Sequence, residues 1–464
     1  MECRIFAHFD RSGQRSFGES HGGFSARNKR VYKNRRHHPG ARAPDPHAEF
    51  RILPAVNDAA SRRNVLLAVV LAALGYFVDI YDLILFSIVR VPSLKGIGVA
   101  DAELLNTGVA LLNWQMGGML IGGVLWGILG DKKGRLSVLF GSIAVYSAAN
   151  IANGFVHTLP AYAALRFIAG VGLAGELGAG ITLVCELMPK DTRGYGTMAV
   201  AGVGIVGGVA AGLVGDFFTW RTAYFVGGGL GLLLLTLRVG VYESGLFDKL
   251  SRSTARRGDF LMLFSSWKIL WKYACCILLG VPVWFVIGIL ATFAPEFGKA
   301  LGMPVLPTGG HAVMWLYAGC ALGDFASGGL SQWLRSRRWA ASAFVAATAL
   351  LSAVYLNSFG SSLAHFYSLC FGLGFFSGYW AVFVTIASEQ FGTNIRATVT
   401  TTVPNFVRGS LVAVSWAFTA LKPGHGILRA AGIVGTACFA LAFLSLTGLR
   451  ETFGKDLDYL EPHV

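Results

Sequence analysis

The chain has 464 residues, of which 54% are hydrophobic and only 14% are charged. Soluble domains carry about 25% charged residues, so the composition excludes an ordinary soluble protein and indicates one that lies in a lipid bilayer. The formal net charge is +14, but the basic residues concentrate in the polar segments between apolar runs. That pattern sets membrane orientation and argues against a nucleic-acid partner.

The first 60 residues differ from the rest. The stretch "SARNKRVYKNRRHHPGARAPDPH" is rich in Arg, His and Pro without hydrophobic periodicity, and it lacks the apolar core of a signal peptide. We predict a disordered basic N-terminal extension over residues 1–60. A wrongly assigned start of translation is an alternative, and so is a tail that binds nucleic acid or anionic lipid.

Twelve apolar windows follow, each long enough to cross about 30 Å of hydrocarbon as a helix. No run of short alternating segments, as in a membrane β-barrel, occurs among them. We predict an all-α membrane protein and number the windows as spans one to twelve. They cover residues 65–89, 106–130, 136–156, 160–186, 196–217, 222–241, 273–297, 310–333, 339–358, 363–387, 400–421 and 429–448.

The loops between the spans define orientation and domains. If both termini are cytoplasmic, most loop Lys and Arg residues fall on the cytoplasmic side, as expected for a protein of the plasma membrane. One polar connection of about 25 residues, after "VYESGLF", divides the spans six and six. We predict an N-terminal six-helix bundle (61–247), a central cytoplasmic loop (248–271), a C-terminal six-helix bundle (272–450) and a cytoplasmic tail (451–464).

The two halves resemble each other in sequence. "GILGDKKGRLS" follows span two and "GGLSQWLRSRR" follows span eight, with Gln332 in place of Asp131. "ELMPKDTR" follows span four and "EQFGTNIR" follows span ten, with the same spacing between acid and arginine. Both pairs are offset by about 200 residues. Parallel six-helix repeats around a midplane site are typical of one class of transporter.

These motifs resemble those of the major facilitator superfamily. The turn GxLxDxxGR is present as Gly127, Leu129, Asp131, Gly134 and Arg135, and "LRFIAGVGLAGELGAG" and the "ES" after span six also match. The resemblance implies the major facilitator fold, two six-helix repeats that alternate in access. "VDIYD" in span one and "AGE" in span four resemble the metabolite:proton and aromatic-acid:proton symporters of this superfamily.

Span one carries Asp79 and Asp82, three residues apart and hence on one helical face. A charge at the bilayer centre costs roughly 3 kcal/mol or more, and two nearby carboxylates in a low dielectric cannot both ionise cheaply. We therefore expect a role in proton coupling; a structural acid is the alternative. By resemblance to sugar porters, Arg166 in span four is the counter-ion of Asp82. Glu176, deeper in span four, is either a coupling group or a bonded acid in a packing surface.

Arg408 lies at mid-depth in span eleven, four residues after Pro404. Its planar guanidinium suits a carboxylate or phosphate, so we expect it to bind an anionic substrate; an ion pair with Asp324 or another acid is the alternative. Gln115, Tyr379 and Trp380 are polar or aromatic at mid-depth and are candidate substrate contacts, with helix packing as the alternative.

Charged residues at the cytoplasmic ends of the spans resemble the inner gate of the superfamily. Opposite charges clustered at helix ends stabilise one closure and separate in the other state. Topogenic charge alone is the alternative. The predicted gate consists of Asp131, Arg135, Glu186, Arg193, Glu243, Arg337, Glu389 and Arg396.

The function predicted from the sequence is secondary active transport by alternating access, specifically proton-coupled symport of a small organic anion such as an aromatic acid. An exporter, a sugar-type porter and a non-transporting membrane receptor are the alternatives. No phosphate-binding GxxxxGK[ST] loop, HExxH or GxSxG motif occurs, so we expect no enzyme, no cofactor and no metal. The predicted driving force is an ion gradient, the predicted partners are a small molecule and the lipid bilayer, and the predicted state is a monomer.

Overall fold

The computed structural model describes residues 59–133, 135–188, 193–243, 260–392 and 395–454. Almost all of the predicted N-terminal extension lies outside these residues, as do about half of the predicted central loop and most of the predicted tail. Within the described ranges the chain is helical, with short turns and no strand.

The helices follow one another along the chain with short connections. Two 3₁₀ turns, Asp101–Glu103 and Phe260–Phe264, and a π-helical segment, Val286–Ala291, lie between the α-helices. The α-helices are α1 (Ala59–Gly96), α2 (Leu104–Lys133), α3 (Arg135–Gly154), α4 (Leu159–Leu173), α5 (Glu176–Leu187), α6 (Arg193–Phe217), α7 (Trp220–Glu243), α8 (Trp267–Phe285), α9 (Ala294–Ala300), α10 (Gly309–Trp333), α11 (Arg337–Leu356), α12 (Leu363–Ser377), α13 (Trp380–Glu389), α14 (Arg396–Gly409) and α15 (Leu411–Gly448).

All twelve predicted spans fall on helices. Nine helical segments of the described chain are long and apolar enough to cross a membrane. One of them, Thr398–Gly448, contains spans eleven and twelve, which are separated by a kink at Gly426, where φ is 75°. The remaining two spans, three and eight, correspond to α3 and α10.

Spans four and ten are each broken near the middle. Between α4 and α5 the chain passes through Gly175, and between α12 and α13 it passes through Gly378. A break leaves backbone carbonyls that must find partners inside a membrane. The side chain of Asn405 donates to Ala174 O at 2.7 Å, and Ser327 Oγ donates to Gly378 O at 2.6 Å. The two glycines are 203 positions apart, within the offset of the sequence repeat, so the repeat extends to the backbone.

The helices pack within each half and across the boundary between the halves. In the first half α1 packs against α6, α2 against α4, and α3 against α7. In the second half α10 packs against α12, and α8 and α11 pack against α15. The halves meet where α2 contacts α14, where α6 contacts α10, and where α1 contacts α10. Buried polar groups on α1, α10 and α14 are thereby brought to the boundary.

After α15 the chain returns to the start of α11. The Glu451 carboxylate accepts hydrogen bonds from the backbone N–H groups of Arg337, at 2.9 Å, and Arg338, at 3.2 Å, and from the hydroxyl of Ser336. Burial alone would raise the pKa of Glu451, but these hydrogen bonds, together with that from Phe453, outweigh it and lower the pKa to about 2. The ionised carboxylate therefore caps the N-terminus of α11.

Candidate functional site

A cavity lies at the boundary between the two halves. The cavity and its open mouth together take in about 380 Å³ of space. Residues of α1, α6, α8, the π-helical segment, α10, α13 and α14 line it, together with the break in span ten. Its walls are mainly apolar and aromatic, with one cation and one acid. The side chains that decide its chemistry are Tyr76, Trp284, Tyr317, Trp380, Asp324 and Arg408.

Arg408 joins the halves at this cavity. Its Nη2 lies 3.4 Å from Oδ2 of Asp79, and both side chains are buried. Within the described chain, Nε and Nη1 of Arg408 and Oδ1 of Asp79 have no hydrogen-bond partner. A guanidinium has five N–H donors in a planar fork, so a single long contact leaves Arg408 able to bind a second carboxylate.

Asp324 is the acid of the cavity. Its Oδ1 accepts a hydrogen bond from the backbone N–H of Ala381 at 3.0 Å, which holds the carboxylate at the start of α13. Its Oδ2 is buried and has no hydrogen-bond partner among the described residues. The sequence offered Asp324 or another acid as the partner of Arg408, and the structure shows that the partner is Asp79.

Asp82 lies one turn beyond Asp79, but it does not form the ion pair with Arg166 that the resemblance to sugar porters implies. Neither of its carboxylate oxygens has a hydrogen-bond partner within the described chain. Arg166 instead donates from Nη2 to Oε1 of Gln115, whose Nε2 donates to Leu83 O at 3.1 Å. The amide of Gln115 is therefore engaged by α1 and α4.

Glu176 forms an ion pair that was not predicted. Both of its carboxylate oxygens accept from Arg238 of α7, one of them at 3.1 Å, and Arg238 also donates to Leu71 O at 3.2 Å. Sequence reasoning overlooked Arg238, although a lone cation inside span six was a visible signal. A buried pair with further hydrogen bonds is the arrangement in which membrane charges are tolerated.

The aromatic candidates divide between cavity and packing. Trp380 lines the cavity, whereas Tyr379 donates its hydroxyl to Leu279 O at 2.9 Å and is not among the lining residues. Tyr317, which also lines the cavity, was not singled out in the sequence. A step of one residue turns a helix by about 100°, which is enough to move a ring from the cavity to a packing face.

The predicted cytoplasmic gate is described only in its second half. Arg337 Nε lies 3.6 Å from Oε2 of Glu389, which accepts from Thr452 Oγ1 at 2.6 Å. Arg396 Nε donates to Ser388 O at 3.0 Å. The side chains predicted for the first half lie outside the described residues: Asp131, Arg135, Glu186, Arg193 and Glu243.

Charged contacts also join the halves at the opposite ends of the helices. Arg90, near the end of α1, pairs with Glu296 of α9 at 2.8 Å and lies over the ring of Phe293. His311 Nε2 of α10 lies 3.0 Å from Oδ2 of Asp216 in α6. Both contacts must separate if the cavity is to open at these helix ends, which lie opposite to the predicted cytoplasmic gate.

Helices that can span a membrane, with charged side chains buried around an internal cavity, are typical of a secondary transporter. The family model described as Major Facilitator Superfamily matches residues 65–415. The chain therefore belongs to the major facilitator superfamily.

Individual relatives agree with this class. The chain is 27% identical over 300 residues to the putative niacin/nicotinamide transporter NiaP of Bacillus subtilis, a match that covers 63% of this chain and 73% of the relative. It is 30% identical over 162 residues to the 3-(3-hydroxy-phenyl)propionate transporter of Escherichia coli, covering 32% of this chain and 40% of the relative. The chain thus stands beside the metabolite and aromatic-acid branches of the superfamily.

A solved structure shows the same fold. The crystal structure of a D-xylose-proton symporter matches with a TM-score of 0.63 at 17% identity, over 85% of this chain and 100% of that one. The chain is a multi-pass membrane transporter of a small molecule.

Proposed function

We propose that this chain is a proton-coupled symporter of small aromatic carboxylates. The observation that carries the proposal is Arg408, a buried guanidinium in a cavity lined by Tyr76, Trp284 and Trp380, with two nitrogens that have no partner among the described residues. Aromatic walls favour a flat apolar ring, and the guanidinium fork favours a carboxylate. A substrate with both features uses the whole cavity.

The ion pair of Arg408 with Asp79 supplies the coupling. A substrate carboxylate at Arg408 adds a second negative charge beside a single cation, and in a low dielectric that charge is costly. A proton on Asp79 removes the excess charge and releases the guanidinium for the substrate. Proton and substrate then bind together, which is the thermodynamic requirement for symport.

The other charged residues predicted from the sequence are given supporting roles beside the ion pair of Arg408 with Asp79. We propose that Asp82 takes part in proton transfer, and that Arg166 and Glu176, engaged by Gln115 and Arg238, keep the charge around it balanced. We further propose that the cytoplasmic-end residues act as a gate. The distribution of Lys and Arg in the loops supports cytoplasmic termini, and the polar connection after span six supports the domain boundaries 61–247 and 272–450. We also propose a plasma-membrane location and a monomeric state.

Two alternatives within the fold are less well supported. A sugar-type substrate offers many hydroxyls and needs many polar partners, but the decisive side chains of this cavity are mostly aromatic. A receptor that binds without transport does not need an acid shared between substrate and proton. Direction of transport follows from the gradients and is set by the same coupling.

Transport by purified protein in liposomes tests the proposal. With an imposed pH gradient, we expect accumulation of nicotinate and benzoate, accompanied by proton movement reported by a trapped pH dye. Nicotinamide and benzamide, which have the same rings without the negative charge, serve as matched controls and are expected to compete poorly. Equal transport of acid and amide would contradict the anion site, and uptake without proton movement would contradict symport.

Asp324 lines the cavity with one carboxylate oxygen that has no hydrogen-bond partner among the described residues. We therefore expect the transporter to favour aromatic acids that carry a ring hydroxyl, which can donate to this oxygen. Asp324→Asn keeps an oxygen that can accept from Ala381 N–H but replaces the unpartnered oxygen by an amide donor. We expect affinity for hydroxybenzoates to fall at least about tenfold, because the substrate hydroxyl loses a hydrogen bond to the Asp324 carboxylate, and such a bond contributes about 1.5–3 kcal/mol. Benzoate affinity is expected to stay unchanged. Competition assays with the two acids measure this. Equal loss for both would show that Asp324 only holds α13.

A further inference from the structure

A second group of polar side chains lies within the N-terminal half, between α1, α3, α4 and α7. These side chains are fully buried. Within the described chain, several of their polar atoms have no hydrogen-bond partner. They are both carboxylate oxygens of Asp82, the hydroxyls of Tyr146 and Ser147, both amide atoms of Asn150 and Asn153, and Nε and Nη1 of Arg166.

Four of these residues form a stripe on α3. Tyr146, Ser147, Asn150 and Asn153 recur at the three- and four-residue spacing that places side chains on one helical face. At 1.5 Å per residue, the stripe from Ser147 to Asn153 is about 9 Å long. The stripe ends at Asn153, one residue before α3 ends at Gly154 and the loop to α4 begins. The carbonyl of Gly154 accepts a hydrogen bond from Arg221 Nη1 at 3.0 Å.

Two glycines of α7 make room beside this stripe. A Cβ at Gly227 would lie 2.1 Å from Oδ1 of Asp82, and a Cβ at Gly231 would lie 2.0 Å from Oγ of Ser147. The glycines are one turn apart, so Asp82 and Ser147 abut neighbouring positions on one face of α7. Asp82, a coupling acid on α1, therefore lies beside the stripe, next to Asn150.

Unpartnered polar atoms are expensive inside a protein. Each buried donor or acceptor without a partner costs about 1–3 kcal/mol, and such atoms are normally satisfied by protein or by ordered water. A buried water needs two to four polar partners, and this group supplies donors and acceptors at intervals of one turn. Ordered water with two to four of these atoms as partners would satisfy them.

We propose that the α3 stripe and Asp82 hold a chain of buried water that carries protons between the loop at Gly154 and the coupling acids. The proposal rests on the proposed proton coupling and adds a proton route separate from the substrate cavity. Amide and hydroxyl groups are suited to ordering such water because each can donate and accept. The ionisable groups that face this region are Asp79, Tyr81, Asp82, Tyr146, Arg166, Glu176, Tyr224 and Arg238.

Asn150→Leu is the main test, because it removes both polar atoms of the amide and keeps the branched shape of the side chain. We expect the rate of proton-driven net uptake to fall about tenfold, the equivalent of about 1.4 kcal/mol on the barrier. Substrate exchange, which needs no net proton movement, is expected to keep its rate and its KM. If exchange slows as much as net uptake, or if neither changes, the proton route is wrong.

Ser147→Ala against Ser142→Ala provides a matched pair that changes little volume. Both serines are fully buried on α3, but the hydroxyl of Ser142 already donates to Leu139 O at 3.3 Å. We expect only Ser147→Ala to slow net uptake and to change its solvent isotope effect in D₂O. Equal effects of the two would overturn the proposal.

Measurements of uptake and proton movement with the wild-type protein distinguish a failure of this proposal from a failure of the proposed function. Uptake without proton movement would remove symport itself, whereas proton-coupled uptake with an unaffected Asn150→Leu variant would remove only the route. Net uptake that follows a sodium gradient and ignores pH would show that the polar group holds a cation, which also overturns the proton route.

Discussion

Arg408→Ala is expected to weaken the binding of aromatic carboxylates at least about 100-fold. The substrate loses a charge-assisted pair of hydrogen bonds, and removing one partner of a buried ion pair costs about 3–5 kcal/mol. The affinity for the uncharged amide of the same ring is expected to change little, because its contacts are with the aromatic walls. Binding to detergent-solubilised protein, measured by calorimetry for an acid and its amide, gives both values.

The Arg408→Ala variant is also expected to be less stable, so its loss of binding must be distinguished from a loss of folded protein. Arg408→Ala leaves Asp79 buried without its cation, so unfolding at a lower temperature is expected. The double variant Arg408→Ala/Asp79→Asn removes the uncompensated charge and is expected to recover most of that stability without recovering acid binding. Arg408→Lys keeps the charge but not the fork, and an intermediate affinity is expected.

Arg90→Ala is the control for the loss of a buried arginine as such. Arg90 is as buried as Arg408 and is also paired across the two halves, with Glu296, but it does not line the cavity. Its replacement is expected to alter acid and amide binding alike. If Arg408→Ala behaves in the same way, Arg408 holds the halves together and does not bind the substrate.

The helical spans were predictable because each needs about 20 apolar residues in sequence, and that signal is local. The faces of those helices were not. Lipid and protein interior are both apolar, so the sequence does not distinguish Trp114, which is 53% exposed, from Trp380, which is 7% exposed. For the same reason the sequence singled out Tyr379, which does not line the cavity, and not Tyr317, which does.

Individual buried charges were predictable, but their partners were not. Asp79 and Arg408 are 329 positions apart, and nothing local relates them. Asp82 and Arg166 make no direct ion pair, because Nη2 of Arg166 donates to a neutral side chain, Gln115, instead. Charged residues in the sequence do not reveal a neutral partner such as Gln115, whereas Arg238, the single cation within span six, is visible in the sequence.

Asp79→Asn is expected to abolish proton-driven accumulation while preserving substrate exchange. The neutral amide leaves Arg408 permanently available to the substrate, so the substrate binds without a proton. One proton per substrate is worth about 1.36 kcal/mol per pH unit of gradient, which corresponds to about tenfold accumulation in the wild-type protein. In the variant, the internal substrate concentration is expected to equal the external concentration at every pH gradient.

Asp82→Asn is the matched comparison for that result, since it removes a carboxylate one turn away in the same helix. Asp82 contacts neither Arg408 nor the cavity by any described hydrogen bond or lining position, so its loss is expected to slow the approach to the final accumulation without lowering its level. Level and rate are read from the same uptake curve. If Asp82→Asn lowers the level and Asp79→Asn does not, the proton that drives transport resides on Asp82, and the competition between Asp79 and substrate for Arg408 is not the coupling step.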